Sequence, residues 1–406
     1  MTSFDPSPTL GVWRALIALG VVFIMLATTG WTAVHHRRDG GAPLKVALAA
    51  WGEDRLEGRP LPDPLTAPDR LTRFFASLEP GQLTRLARRH PLVIGNMNGA
   101  PLALRYRANR TSLDAARRAE SRRVHDDRLS PEGQRQAELR MQRYRALTRP
   151  DRHILAFDPT GSGRIAEVLG DLARARRVSV VVPGVDTTLG SFESARRAHS
   201  TPLGMARALY RAERSASPAT RTAVIAWADY TAPDGLGVEA ATGIRARHGA
   251  VRLNAMLRGL PDRARVALYC HSYGSVLCGI AAPSLPSRVT DIAVAGSPGM
   301  RAGHASQLRT RARIWAMRDG DDWIEGVPHL EVGGIGHGAD PVSPAFGARL
   351  LSANGANGHT GYFEPGTGSL SNLAEIGVGA YLGLECADGD DGCRSGLDSA
   401  GADQHA

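Results

Sequence analysis

Lysine is almost absent from this chain: of 49 basic residues, only Lys45 is not arginine. Aromatic residues are also scarce at 5%, and cysteine is limited to four positions. The formal net charge of +9 would suit a nucleic-acid or membrane surface. Its distribution argues otherwise. Arginines in RRAESRRVHDDR and LARARR are interspersed with acids, and no aromatics alternate with them to stack on bases, so no nucleic-acid partner is expected. With 46 glycines and abundant alanine, the arginine skew reads as the imprint of a high-GC genome. Hydrophobic residues at 43% and charged residues at 22% are those of a globular chain with a real core. At 406 residues it can form one large domain with attachments, or two domains.

What is present divides the chain into six parts. After the segment 1–14, ALIALGVVFIMLATTGWTAV at 15–34 carries no charge. As a helix rising about 1.5 Å per residue it would span roughly 30 Å, the hydrocarbon thickness. Arg14 precedes it, Arg37 and Arg38 follow it, and Trp13 and Trp31 stand near the expected interfaces. A single-pass membrane anchor is expected, a cleaved signal peptide being the alternative. Sidedness stays open. The arginine balance favours a cytoplasmic body, whereas Cys386 and Cys393 favour an extracytoplasmic one if they form a disulfide, two free thiols being the alternative. Residues 35–62 read as a tether, 63–150 as a helical region and 385–406 as an acidic flexible tail.

Between them, at 151–384, the period changes. HILAFDP, VSVVVPG, TAVIAWADY, VALYCHS, DIAVAGSPG, RIWAMRDG and GARLLSA are candidate strands, several of them apolar throughout, as parallel strands covered on both faces are. GRIAEVLGDLARA, GMARALYRAERS and VRLNAMLRGL are helix-compatible. The alternation predicts an α/β sheet with its site at the carboxyl ends of the strands.

Ser272 follows the strand VALYC and precedes SVLCGIAA, a strand–turn–helix context that can hold a nucleophilic serine on a tight turn. Such a turn needs small residues two positions either side. Gly274 meets the requirement, and Cys270, read with Cys278 as a small buried residue, is tolerable. A serine needs a base, and the base an orienting acid. Downstream, Asp319, Asp321 and Asp322 cluster after RIWAM. Asp322 is favoured because Trp323 and Ile324 can pack beside it, with Asp321 in reserve. His359, in NGANGHTGY after the last strand, is the expected base, and His337 in GIGHGADP its competitor. His304 comes before the acids, His329 too soon after them, and His271 adjoins the nucleophile. The backbone N–H groups of Tyr273 and of Val185, just beyond Gly184, are the expected oxyanion donors. No metal or cofactor is implied.

HSYGS after a strand, VVPGVDTT, AGSPG and GHTGY together resemble an actinobacterial α/β-hydrolase family long labelled a domain of unknown function. HPLVIGNMNGAPLALRYRANR (90–110) and HGADPVSPAFGARLL (337–351) fit the same pattern, so the resemblance covers roughly 90–384. It implies an α/β-hydrolase fold and carries Ser272, Asp322 and His359 over as a triad. Cys270 departs from the glycine usual there. The expected activity is hydrolysis of an ester or other acyl bond in a small-molecule or lipid-like substrate. A catalytically silent fold used for binding or envelope organisation is the alternative.

Overall fold

The computed structural model describes residues 43–196, 198–390 and 392–397. The expected anchor at 15–34 lies outside the described residues. Among the described residues no helix is long and apolar enough to cross a membrane.

An eight-stranded sheet organises the chain. Its strands are β1 (His153–Asp158), β2 (Arg164–Gly170), β3 (Arg177–Val182), β4 (Thr222–Ala228), β5 (Arg265–His271), β6 (Val289–Ala295), β7 (Arg313–Met317) and the two-residue β8 (Arg349–Leu350). In space they run β1-β2-β4-β3-β5-β6-β7-β8. Only β2 is antiparallel to its neighbours; every other adjacent pair is parallel. Both faces are covered, which is why the strands read as unbroken apolar runs. In β3, Val178, Val180 and Val182 enter one core and Val181 the opposite one. Each such buried valine contributes about 1.5–3 kcal/mol.

The segment 163–175 departs from its helical expectation. Apolar residues at 165, 166, 168 and 169 match helical spacing, yet they form β2. Glu167, a charged residue in mid-strand, obscures the alternation. It is buried because Arg152 satisfies it with a paired guanidinium, Nε lying 2.7 Å from Oε1.

The region before the sheet is helical, with α1 (Pro43–Glu53), α2 (Pro68–Ala76), α3 (Pro80–Arg89), α4 (Pro91–Asn96), α5 (Leu102–Val124) and α6 (Pro131–Leu147). Helix α1 corrects the tether reading of 35–62. Trp51 is fully buried against this bundle and donates its indole N–H to Pro62 O at 2.7 Å, so ordered packing begins at residue 43. The stretch 90–110 fastens the bundle to the edge strand β1. Asn96 both accepts from Phe157 N (3.0 Å) and donates to Phe157 O (2.7 Å). Arg105 and Asn109 donate to Leu155 O and Ile154 O at 2.8 and 2.9 Å. These side chains occupy an edge that would otherwise present free backbone groups. Gly95 is obligatory there, because an added Cβ would stand 1.9 Å from Asn109 Oδ1.

The C-terminal residues 385–397 are likewise packed rather than flexible. Cys386 and Cys393 form a disulfide, Cys393 and Leu397 are buried, and Arg349 donates to Cys393 O at 2.6 Å. The remaining covering helices are α7 (Pro202–Ala216), α8 (Ile244–Arg258), α9 (Tyr273–Ala281) and α10 (Gly368–Val378).

Candidate active site

Ser272 separates β5 from α9 and adopts φ 55°, ψ −131°. A non-glycine residue held in that region costs about 1–3 kcal/mol and persists only where its surroundings enforce it. The enforcement is a serine network. Ser272 N donates to Ala295 O (3.1 Å), and Ser275 donates to Ser272 O through both its N–H (2.9 Å) and its hydroxyl (2.5 Å). Ser297 donates in turn to Ser275 Oγ (2.6 Å) and accepts from Gly299 N (3.0 Å). Gly274 is required two positions on, since a Cβ there would lie 2.3 Å from Val182 O. Two positions back, the expectation of a merely small buried residue is corrected. Cys270 is disulfide-bonded to Cys278, tying the end of β5 to α9.

The loop after β3 closes on this turn. A Cβ added to Gly184 would stand 2.7 Å from Ser272 Cβ, 2.9 Å from its Oγ and 3.2 Å from Tyr273 N. Glycine therefore brings the Gly184–Val185 backbone against the serine, beside the Tyr273 N–H that opens α9. The first N–H groups of a helix have no intrahelical acceptor and favour negative charge. Tyr230 holds this loop by donating to Pro183 O at 2.7 Å. Asp186, at φ 58°, donates its N–H to Pro233 O (2.9 Å) and accepts from Gly235 N (2.6 Å).

Asp322 and His359 meet beyond the carboxyl end of β7. His359 Nδ1 lies 2.8 and 3.1 Å from the two Asp322 oxygens. Asp322 is buried, and it also accepts from Ile324 N (2.9 Å) and from the Tyr362 hydroxyl (2.6 Å). Burial alone would raise its pKa, but the hydrogen bonds from His359, Tyr362 and Ile324 outweigh it and hold the carboxyl below its usual range. A carboxylate at Nδ1 fixes the tautomer with the proton on that nitrogen, leaving the Nε2 lone pair available. Asp321 is exposed and takes no part in this contact. Asp319 organises the loop instead, accepting from Gly358 N (2.8 Å) and donating its own N–H to the Tyr362 hydroxyl (3.0 Å). Of the expected packing pair, Ile324 is buried while Trp323 stays 47% exposed with its ring 4.6 Å from that of His359.

His337 is elsewhere. It is buried against the Tyr273 ring and hydrogen-bonded through Nε2 to Ala240 O (2.7 Å). His271, set aside in the sequence, touches the site from behind: its Nε2 lies 2.6 Å from the backbone carbonyl of His359. Burial, then the neighbouring His359, pushes the His271 pKa down to about 4, so the ring is neutral and donates Nε2–H to that carbonyl.

Ser272, His359, His271, Gly184 and Val185 line one cavity of about 1090 Å³. Asp322 sits behind His359. The structure thus gathers Ser272, His359 and Val185 at one opening and separates them from His337 and Asp321. Among the described residues no group of three or more His, Cys, Asp or Glu is arranged to hold a metal ion.

A family profile described as "Alpha/beta hydrolase" matches residues 158–332. An uncharacterized Mycobacterium tuberculosis protein is 26% identical over 378 residues, spanning 79% of this chain and 57% of its own length. An uncharacterized Mycobacterium bovis protein is 32% identical over 181 residues, 42% of this chain and 67% of that protein. The chain belongs to this α/β-hydrolase family. It spans little more than half, 57%, of the M. tuberculosis relative. Among solved structures, a dienelactone hydrolase from Anabaena variabilis aligns with 55% of this chain and 93% of its own, at 17% identity and TM-score 0.35. A 2,6-dihydroxy-pseudo-oxynicotine hydrolase aligns with 82% of this chain and 93% of its own, at 12% identity and TM-score 0.34.

The family match contains Ser272 and Asp322, whereas His359 lies 27 residues past its end at 332 and is joined to the site only by the fold. Four contributors escaped the sequence reading: His271, Ser275, Ser297 and Tyr362. All four stand in stretches singled out above, His271 and Ser275 in HSYGS, Ser297 in AGSPG and Tyr362 in GHTGY, but their hydrogen-bond roles depend on partners that only the fold brings together.

Proposed function

We propose that this hydrolase-family protein is a serine hydrolase cleaving an ester or other acyl bond. Ser272 Oγ attacks the carbonyl carbon while His359 Nε2 takes its proton. Asp322 holds the imidazole and stabilises the imidazolium, and the N–H groups of Tyr273 and Val185 receive the oxyanion. His359 then protonates the leaving alcohol, and water repeats the sequence on the acyl-enzyme to regenerate Ser272. The observation that carries this reading is the shared cavity: it is lined by a strained serine and by a histidine whose Nδ1 is engaged by a buried carboxylate. A fluorophosphonate probe is expected to label the protein, and Ser272→Ala to abolish both labelling and p-nitrophenyl ester turnover. Labelling that persists in Ser272→Ala removes Ser272 from the role.

The residues 15–34 are proposed to anchor the protein in the cell membrane with its body outside the cytoplasm. Two disulfides support an oxidising compartment. Protease added to intact cells should then remove the hydrolase body; protection would reverse the sidedness.

A further inference from the structure

The cavity before Ser272 is lined by six arginines, Arg143, Arg149, Arg152, Arg196, Arg207 and Arg211, and by only two carboxylates, Asp186 and Glu193. Four of the arginines have partners. Arg152 engages Glu167 and Glu193, Arg207 binds Glu193 at 2.7 Å, and Arg149 pairs with Asp151 at 2.8 Å. Arg143, from α6, donates to the carbonyls of Gly190 and Glu193, both at 2.9 Å, and so staples the loop 183–201 over the cavity. Arg196 on that loop and Arg211, one turn beyond Arg207 on α7, have no hydrogen-bond or carboxylate partner among the described residues. Even with Asp151 and Glu167 counted, the arginines exceed the carboxylates by two. Arginine is common throughout this chain; elsewhere some pair with acids one turn away, as Arg135 does with Glu132 at 2.6 Å, and others with acids remote in sequence, as Arg313 does with Asp291 at 2.8 Å. Here the surplus, the exposed Arg196 and Arg211, lies along the wall of the cavity that holds the serine.

Guanidinium groups present forked donors suited to planar or tetrahedral oxyanions, and a concave wall strengthens the attraction relative to open water. We propose that the acyl substrate carries an anionic group, a carboxylate, sulfate or phosphate, seated by Arg196, Arg207 and Arg211. The assignment rests on the serine-hydrolase reading and narrows its substrate class.

Two matched ester pairs test it at pH 7.5. p-Nitrophenyl hexanoate against mono-p-nitrophenyl adipate puts the anion on the acyl side. 4-(Methylsulfonyl)phenyl hexanoate against 4-sulfophenyl hexanoate puts it on the alcohol side. In at least one pair the anionic ester should have kcat/KM about tenfold or more above its neutral partner, the worth of one charge-assisted contact. The R196Q/R211Q double variant should bring that ratio close to one, through KM. Absence of preference in both pairs, or a preference the double variant leaves intact, overturns the seat. Failure of the hydrolase reading looks different: no probe labelling and no turnover of either neutral ester. The seat is then read without catalysis, by calorimetric binding of adipate and 4-hydroxybenzenesulfonate. About tenfold weaker binding to R196Q/R211Q supports it, and equal or absent binding overturns it.

Discussion

His271 donates its Nε2–H to the backbone carbonyl of His359, 2.6 Å away, so the residue before Ser272 positions the imidazole that Asp322 engages. The two rings also lie 4.9 Å apart. His271→Phe removes the donor and should lower kcat about 10- to 100-fold with KM little changed, because a small displacement of a catalytic group is costly. His271→Gln retains a donor near the position of Nε2 and should restore most of the rate. A merely structural role would leave Phe and Gln equally impaired, and steady-state kinetics on the two variants decides.

The same histidine carries a pH-dependent stability. Its pKa falls from about 6.5 in the unfolded chain to about 4 in the folded one, through burial first. The unfolded state therefore binds more protons between these values. The stability is complete above about pH 6.5 and is lost as pH falls through about 4. The loss amounts to roughly 3 kcal/mol. Urea midpoints at pH 7 and pH 4.5 should converge more closely in His271→Gln than in the wild type.

Gly184→Ala isolates the close approach at Ser272. Gly184 does not have the positive φ that would itself strain an alanine, so the cost comes from contact with Ser272 Cβ at 2.7 Å and Oγ at 2.9 Å. The variant should fold, with a near-native denaturant midpoint, and lose on the order of 100-fold in kcat as the Gly184–Val185 backbone is pushed from the serine. Slower fluorophosphonate labelling at unchanged stability is the expected signature. Wild-type turnover would mean that this backbone is not a catalytic wall.

The Cys270–Cys278 bond closes a short loop around Ser272, and cross-links of this span stabilise by about 2 kcal/mol. Reduction, or the C270G/C278A double variant, should lower the unfolding free energy by about that amount. It should slow turnover as well, since the bond helps hold the strained φ of Ser272. The single variant Cys278→Ala leaves a lone thiol at Cys270 and separates loss of the bond from the change in side-chain size. Denaturation with and without reductant, alongside ester hydrolysis, measures both effects.

Much of this was legible in the sequence because the sheet is buried on both faces. Unbroken valine and alanine runs marked β3, β4, β5 and β6, and a strand–Ser272–helix boundary marked the turn. Chain order narrowed the acid to the cluster after β7 and the base to the histidines beyond it, and the fold joins Asp322 with His359. The reason given for Asp322 was only half sound. Ile324 packs, but what fixes the carboxylate is its own bond to Ile324 N and the Tyr362 hydroxyl. β2 was illegible because Glu167 breaks the alternation and is satisfied by Arg152, 15 residues earlier. The Cys270–Cys278 pairing was hidden because a strand and a helix meet at that spacing only through the turn at Ser272. The arginine-lined cavity draws on α6, α7 and the loop between β3 and α7, a convergence no local pattern announces.

Glu213 offers a test of the core behind the site, with the opposite pH sign. It is buried on α7 beside Ser179, which donates to its Oε1, and close to Gly377 of α10, where an added Cβ would meet that oxygen at 2.2 Å. Burial, only partly offset by the hydrogen bond from Ser179, pushes its carboxyl pKa up to about 8. Between about pH 4.5 and 8 the folded state then holds a proton that the unfolded state has released. Its contribution to stability is complete below about pH 4.5 and disappears as pH rises through about 8. Glu213→Gln keeps the shape and a hydrogen-bonding amide while removing the titration. It should be near neutral in stability at pH 5 and clearly stabilising at pH 9, read from denaturant midpoints of the two proteins. A wild-type midpoint that falls no faster than that of Glu213→Gln over this range would mean that the carboxyl is already ionised in the core, with its charge met by Arg177.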